Sequence, residues 1–270
     1  MQIVTCIKQV PDTTQVKVDP DTGTLIREGV PFIMNPFDTH ALEESLRLKD
    51  KYGLRVTAIS MGPPSADETL RKALSLGIDE VVLLSDRAFA GADTWATSAV
   101  LAEAISQLAK KEEVIMVLCG KQTIDGDTAQ VGPGIATRLH YYQLTLVDHI
   151  ADLNLKAKRV RVRRKLEGRH EIVEAPVPAM ISVVREINHC RYPTVPRRLM
   201  AEDMEIALWD NGVLKMDPKT IGLNGSPTQV RKIFSPERVK GEMLGDGLNA
   251  PEEAASLLVD TLLEKGFFSL

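Results

Sequence analysis

Residues 114–140, VIMVLCGKQTIDGDTAQVGPGIATRLH, decide the fold. The stretch begins with an unbroken apolar run, passes through a polar loop that contains glycines, and continues into a predicted helix. A continuous apolar strand followed by a helix is typical of a parallel sheet that helices cover on both faces. Such a sheet binds ligands beyond the carboxyl ends of its strands, so residues 120–131 are the first candidate site.

The preceding part of the chain repeats this alternation of strand and helix. The predicted elements, in chain order, are a strand at 3–10, a helix at 37–53, a strand at 55–60, a helix at 65–77, a strand at 80–85 and a helix at 91–111. Asp38 is a plausible N-cap of the first helix, and Asp93 or Thr94 of the third. The fold class is therefore predicted to be α/β, with a mostly parallel, twisted, Rossmann-like sheet between two layers of helices.

The second half of the chain differs in texture. Residues 156–184 alternate polar and apolar around LEGRH (166–170), which predicts an antiparallel hairpin. The arginines of RVRVR (159–163) alternate with valines, as on a strand with one wet face, which argues against a nucleic-acid interface. We predict a nucleotide-binding domain at 1–210 and an extended C-terminal arm with a final helix at 211–270.

Composition narrows the class of protein. The net charge of -4 and the aromatic fraction of 4% do not favour nucleic-acid binding. Three widely spaced cysteines indicate reduced thiols, and the histidine spacing does not suggest a metal site. The chain opens on MQIVTCIKQV, which lacks the features of a secretory signal, and its apolar runs are far below the roughly 18 residues of a membrane span. We expect a cytoplasmic protein that does not insert into membranes.

The polar residues of the 120–131 loop allow three kinds of chemistry. Asp125 and Asp127 could bind a cation, but the further acidic ligands of a calcium loop do not follow them. Acid–base catalysis needs a partner that nothing nearby supplies. Gly120 and Gly126, the neighbouring hydroxyls and the helix that follows suit a phosphate cradle. The residues alone leave this cradle and a simple loop with turn-capping aspartates both open.

Two helix starts are further candidates. Thr94 and Thr97 lie at the start of the helix at 91–111, where a second phosphate could bind, although ordinary capping explains them as well. The turn Asn35–Asp38 could meet a ribose hydroxyl or cap a helix.

Four motifs together resemble one family. CIKQVPD (6–12), NPFD (35–38), GKQTIDGDTAQVGP (120–133) and VRRKLEGRHEIVEAPVPAMISV (162–183) are similar to the small, or beta, subunit of electron-transfer flavoproteins. The resemblance runs from residue 1 to the C-terminal helix. It implies an adenine-nucleotide-binding domain that holds either AMP or FAD and pairs with a larger alpha subunit, on which the C-terminal arm packs.

The resemblance also implies the site residues, with no catalytic residue because the flavin carries the chemistry. The positions that match the family's nucleotide contacts are Cys6, Asn35, Pro36, Phe37, Asp38, Met61, Gly120, Lys121, Gln122, Thr123, Ile124, Asp125, Gly126, Asp127, Thr128, Ala129, Gln130 and Val131. Thr94 and Thr97 are added from their helix position. CRYPTVPRR (190–198) resembles the partner-recognition loop, with Tyr192 and Val195 as contacts and Val195 at its tip.

VPDT (10–13), DGDTAQVGP (125–133) and SPTQV (226–230) are similar to the electron-bifurcating subgroup, in which FAD replaces AMP. Membership implies NADH oxidation by hydride transfer to this FAD. One electron then goes to ferredoxin or flavodoxin, and the other passes through the alpha-subunit FAD to an acyl-CoA dehydrogenase-type flavoprotein. The alternatives are an AMP-binding beta subunit that does not bifurcate electrons and a stress-protein-like nucleotide-binding signalling module.

Overall fold

The computed structural model describes residues 1–12, 17–18, 25–26, 31–230 and 241–267. The chain forms two compact units, Met1–Arg231 and Lys232–Leu270. The strands are β1 Gln2–Cys6, β2 Gln9–Pro11, β3 Lys17–Val18, β4 Leu25–Ile26, β5 Phe32–Met34, β6 Arg55–Met61, β7 Glu80–Leu84, β8 Val114–Gly120, β9 Tyr142–Asn154, β10 Arg159–Leu166, β11 Arg169–Pro176, β12 Ala179–Val183 and β13 Ala207–Trp209. The helices are α1 Pro36–Tyr52, α2 Asp67–Leu76, α3 Thr94–Lys111, α4 Val131–Leu139, α5 Val195–Asp203, α6 Asn211–Leu214 and α7 Pro251–Glu264.

One large sheet organises the first unit. Within the described ranges it has nine strands in the order β11-β10-β9-β12-β8-β1-β6-β7-β13. The seven strands β9, β12, β8, β1, β6, β7 and β13, in this spatial order, pair in parallel. At the other edge, β10 pairs antiparallel with both β9 and β11. This arrangement confirms the predicted α/β class and the predicted hairpin.

Alternating side chains of the central strands fill two cores. Ile3 of β1 packs into the core under α1 and α2, whereas its neighbour Val4 packs into the core under α3 and α4. Both residues are fully buried, as expected for a parallel strand that is covered on both faces. The outer hairpin has one wet face, because Val160 and Val162 are buried while Arg159 and Arg161 pair with Glu174 at the surface.

The topology reverses between β1 and β8. From β1 the chain continues to β6 and β7 on one side of the sheet, and then crosses to β8 on the other side. Ligands of open α/β sheets bind at this switch point, outside the carboxyl ends of the strands. Cys6 ends β1 and Gly120 ends β8, so the fold places both motifs at that crevice.

Two expectations about element ends were wrong. Helix α1 begins at Pro36 after Asn35, so Asp38 lies in its first turn and is not its N-cap. The segment expected to be a loop ends at Thr194, and Val195 is the first residue of α5 and not a loop tip. A proline in the first turn of a helix costs no hydrogen bond, which explains why α5 can begin at Val195 with Pro196 as its second residue.

The C-terminal residues divide between the two units. Leu214 and Ile221 are buried in the core beneath α3, within the first unit. The second unit contains α7, on which Leu257, Leu258 and Val259 remain exposed. The boundary at 210 and the packing of the arm on an alpha subunit stay predictions. No helix among the described residues is long and apolar enough to cross a membrane.

Candidate functional site

The crevice at the switch point brings most of the predicted site residues to one edge of the sheet. Cys6 and Met61 end β1 and β6, Asn35–Asp38 begin α1, and Thr94 and Thr97 lie in the first turn of α3. The 120–131 loop runs from the end of β8 to the start of α4. We use "cradle" below for residues 120–132 together with the first turn of α3, 94–97.

Asn35 holds the 120–131 loop in place through two hydrogen bonds to the loop backbone. Its side chain is fully buried. The amide nitrogen Nδ2 donates to the carbonyl of Gln122 at 2.9 Å, and Oδ1 accepts from the backbone N–H of Ile124 at 3.2 Å. Both polar atoms of Asn35 are therefore used within the protein.

Asp38 joins the ends of two central strands. Its carboxylate accepts the backbone N–H of Lys8, just after β1, and that of Gly120, at the end of β8, both at 2.9 Å. Burial raises the pKa of Asp38 to about 7, although the hydrogen bonds from Asn35, Gly120 and Lys8 act to lower it. Burial also raises the pKa of the Cys6 thiol, helped by Cys119 and Asp38.

The two loop carboxylates that first suggested a cation have partners in the protein. Asp125 pairs with the Lys8 ammonium at 2.6 Å, and Asp127 accepts from the side-chain amide of Gln122 at 2.6 Å. Partial burial acts to raise the pKa of Asp125, but the hydrogen bond and charge of Lys8 hold that pKa below its ordinary value. Both groups shape the loop.

The loop enters α4 through an unusual backbone path. Asp127 and Ala129 have positive φ values of 50° and 56°, and Gln130 follows with φ -98°. Residues other than glycine rarely adopt a positive φ, because the left-handed conformation costs about 1–2 kcal/mol per residue. A left-handed residue next to a right-handed one turns successive N–H groups toward one point, which makes an anion-binding nest. The nest lies directly before the free amides that begin α4.

The starts of α3 and α4 lie side by side. Thr94 Oγ1 donates to Gln130 Oε1 at 2.7 Å. A Cβ at Gly134 would lie 2.6 Å from Ser98 Oγ, so only glycine permits this approach of the two helices. Two helix N-termini therefore present their positive dipole ends at the same edge. Together they can accept more negative charge than either helix alone.

A segment of residues 226–228 fastens the start of α3. Asp93 caps the helix at the N–H of Ala96, as predicted, and its carboxylate also accepts the N–H and hydroxyl of Thr228 at 3.0 and 2.8 Å. The N–H of Asp93 donates to Ser226 Oγ at 2.8 Å. The motif SPTQV pointed to this segment, but its place beside α3 could not be read from the sequence.

An aromatic ring between two cations borders the crevice. Lys121 Nζ lies 5.2 Å and Arg185 Cζ 4.8 Å from the centre of the Phe37 ring. Arg185 follows β12, and sequence reasoning did not select it. Trp95 in the first turn of α3 is 60% exposed, and the Arg138 guanidinium lies 4.2 Å from the centre of its ring.

The two predicted partner contacts lie away from the cradle. Tyr192 and Val195 are 93% and 72% exposed, as a docking surface requires. The stem that precedes them is fixed to the middle and end of α1, where Arg191 binds Glu43 at 2.9 and 3.1 Å and Asp50 at 2.9 Å.

Comparisons with known proteins agree on one family. The model of the electron transfer flavoprotein domain matches residues 22–211. Subunit CarD of a caffeyl-CoA reductase-Etf complex from Acetobacterium woodii is 47% identical over 98% of this chain and 99% of its own length. Protein FixA from Azotobacter vinelandii is 48% identical over 88% of this chain and 85% of its own. An electron transfer flavoprotein subunit beta from Clostridium acetobutylicum is 46% identical over 99% of this chain and 100% of its own. The chain therefore belongs to the electron transfer flavoprotein family, among relatives that include its beta subunits.

Proposed function

We propose that this chain is the FAD-binding beta subunit of an electron-bifurcating flavoprotein. In this proposal the cradle binds FAD, NADH is the electron donor, and ferredoxin or flavodoxin is one acceptor. The other electron passes through an alpha-subunit FAD to an acyl-CoA dehydrogenase-type flavoprotein. The paired helix starts, joined by Thr94 and Gln130, are the observation that carries the choice of FAD.

The charge of the ligand explains why that observation favours FAD. AMP has one phosphate, which the nest at Ala129 and the start of α4 suit by themselves. FAD has a diphosphate, and its second phosphate needs additional donors. The Thr94 hydroxyl donates to Gln130 and so holds the start of α3 beside α4, where the Thr97 hydroxyl in the first turn of α3 would be a donor to the second phosphate.

The residues of the cradle fit an adenine dinucleotide. The amides of 129–132 would bind one phosphate and the first turn of α3 the other. Gly126 leaves its side of the loop open, since a Cβ there would meet only Thr123 Oγ1 at 3.8 Å. When bound, FAD supplies both two-electron and one-electron redox chemistry. The chain holds the nucleotide, excludes water from the crevice and fixes its orientation.

The proposed assembly follows from the relatives and from the exposed apolar surfaces. CarD is named as a subunit of a complex that contains a reductase, and another relative is named a beta subunit. We propose an alpha subunit as the obligate partner of this chain, packed against the C-terminal arm with its exposed α7. Tyr192 and Val195 are proposed to contact the dehydrogenase-type partner.

A matched pair of variants tests the binding of FAD. Thr94→Val removes the hydroxyl at the start of α3, and Thr137→Val removes a hydroxyl that bonds only within α4, to the carbonyl of Pro133. Each variant is purified with the alpha subunit, and its nucleotides are quantified by chromatography. We expect Thr94→Val to lose FAD and Thr137→Val to retain it. Equal FAD contents in both variants would contradict the role of α3.

The electron pathway has its own test. The purified heterodimer is titrated with NADH without oxygen while flavin absorbance is followed, and ferredoxin is then added together with an acyl-CoA dehydrogenase-type partner. We expect NADH to bleach flavin and ferredoxin to be reduced only when the second acceptor is present. Reduction of the heterodimer's flavin by a reduced dehydrogenase partner, with no response to NADH, would indicate the AMP-binding alternative.

A further inference from the structure

Asp38 lies in the first turn of α1, where this turn meets the residues that follow β1 and the end of β8. Lys8 and Gly120, which donate their N–H groups to its carboxylate, are 30 and 82 positions away in the chain. They lie at the ends of β1 and β8, the two strands that flank the switch point. One carboxylate therefore links the two chain segments at the point where the pairing of β1 with β8 ends and the 120–131 loop begins.

The carboxylate faces the protein and not the crevice. Asp38 is 4% exposed. A Cβ placed on Gly120 would lie 2.6 Å from Asp38 Oδ1 and 2.5 Å from Phe37 Cβ, so the backbone of Gly120 rests directly on the first turn of α1. No ribose hydroxyl can enter between these groups. Asn35 extends the same brace to Gln122 and Ile124, farther along the loop.

We propose that Asp38 is the positioning residue of the nucleotide cradle, binding the backbone of Lys8 and Gly120 rather than the nucleotide and so holding the 120–131 loop in its binding shape. This inference rests on the proposed function, because it concerns the same site. An ionised carboxylate offers acceptors to both N–H groups. A neutral acid or an amide offers one good acceptor and turns a donor toward the other N–H, which leaves a buried donor unpaired.

The groups around Asp38 determine how it responds to pH. Cys6 on β1 and Cys119 on β8 are buried thiols, and burial raises the pKa of each. Lys8 directs its ammonium to Asp125, and Lys121 and Arg185 lie over the Phe37 ring. His40, two residues along α1, faces Asn188 and Cys190.

Burial raises the pKa of Asp38 itself to about 7. Its carboxylate is neutralised as the pH falls through that value. The proposal therefore expects nucleotide affinity to be full above neutrality and to fall in mildly acidic buffer. If an ionised Asp38 instead repelled a bound phosphate, nucleotide affinity would rise as the pH falls. The direction in which affinity changes with pH therefore distinguishes the two cases.

The test compares the wild-type full chain with Asp38→Asn and Asp86→Asn by titration calorimetry with FAD and with AMP. Asp86 is the matched control, because its carboxylate also accepts two backbone N–H groups, those of Ala88 and Asn211, both at 2.9 Å. We expect Asp38→Asn to weaken binding of both nucleotides by about tenfold or more, as loss of a hydrogen bond to a charged group implies. Asp86→Asn keeps the wild-type affinity.

The pH profile separates positioning from a general loss of stability. Wild type and Asp86→Asn should both bind more weakly at about pH 6 than at about pH 8, one unit either side of the pKa of Asp38. In Asp38→Asn the profile should be flat. If Asp38→Asn does not fold, the pH profile of wild type tests the proposal. Asn35→Asp is then the second variant, because it replaces the donor to the carbonyl of Gln122 with an acceptor and should also weaken nucleotide binding.

Three results would overturn the proposal: unchanged affinity in Asp38→Asn, an equal loss in Asp86→Asn, or a wild-type affinity that is flat or rises toward acidic pH. Failure of the proposed function looks different. In that case the wild-type chain binds AMP without FAD, or binds neither nucleotide, at every pH.

Discussion

Gly120→Ala is the substitution whose effect the structure defines most closely. The added Cβ would lie 2.5 Å from Phe37 Cβ, 2.7 Å from Phe37 C and 2.6 Å from Asp38 Oδ1. Carbon atoms in contact prefer about 3.5–4.0 Å, so the loop or the start of α1 must move by roughly 1 Å. Because one of the contacted atoms is backbone, a side-chain rotation cannot relieve the overlap.

The magnitude follows from two contributions. Overpacking of a tight site costs about 1–3 kcal/mol, and the displaced N–H of Gly120 loses a hydrogen bond to a charged group, about 1.5–3 kcal/mol. The two effects overlap, so we expect a loss of about 2–4 kcal/mol in the free energy of unfolding. For a domain of this size each kcal/mol lowers Tm by about 2–4 °C, which gives a decrease of roughly 5–15 °C.

The assay is thermal unfolding of the full chain with and without added FAD, together with the nucleotide content after purification. Gly126→Ala is the control, because a Cβ there meets only Thr123 Oγ1 at 3.8 Å. Its Tm without nucleotide should stay near that of wild type, since substitutions at open surface sites change stability by about 0.5 kcal/mol or less. Wild-type Tm and full nucleotide content in Gly120→Ala would refute the reasoning.

Three further predictions concern the surroundings of the cradle. Gly134→Ala should push α4 away from α3, because the added Cβ would lie 2.6 Å from Ser98 Oγ. FAD retention should fall in this variant and recover in the double variant with Ser98→Gly, which restores the space. Equal retention in the single and double variants would contradict this prediction. Asp93→Ala should lower stability by about 1 kcal/mol, as loss of a helix cap does. Burial acts to raise the pKa of Asp93, but hydrogen bonds hold that pKa below its ordinary value of 3.8. The contribution of the carboxylate to stability is therefore present above that pH and is lost as the pH falls below it. Melting curves of wild type and variant at several pH values should converge in acid. Glu43→Gln should increase hydrogen exchange around Arg191 without changing nucleotide content, and unchanged exchange there would count against the anchoring of the stem to α1.

The sequence was sufficient for those features that depend on local pattern. Runs such as VIMVLC predicted parallel strands, because only a strand that is covered on both faces is apolar at every position. The alternation of arginine and valine at 159–163 predicted the wet face of the hairpin. The cap of α3 was predicted as Asp93 or Thr94 for the same reason, since a cap depends on neighbouring residues, and the structure shows that it is Asp93.

Features that depend on distant partners could not be predicted. Asp38 was expected to cap a helix or meet a ribose, but its partners are amides 30 and 82 positions away. The composition of residues 211–270 predicted an arm that packs on an alpha subunit, which stays a prediction. It did not report that Leu214 and Ile221 are buried within the first unit, where glycine allows a close approach: a Cβ at Gly222 would overlap the carbonyl oxygen of Ala88. No local pattern reports such contacts.

The central claim is that the cradle of this chain binds FAD, and the most direct measurement is the nucleotide content of the heterodimer with its alpha subunit. The complex is purified without added nucleotide, its protein is quantified, and the released nucleotides are separated by chromatography. The account predicts two FAD and no AMP per heterodimer. One FAD and one AMP per heterodimer would contradict it.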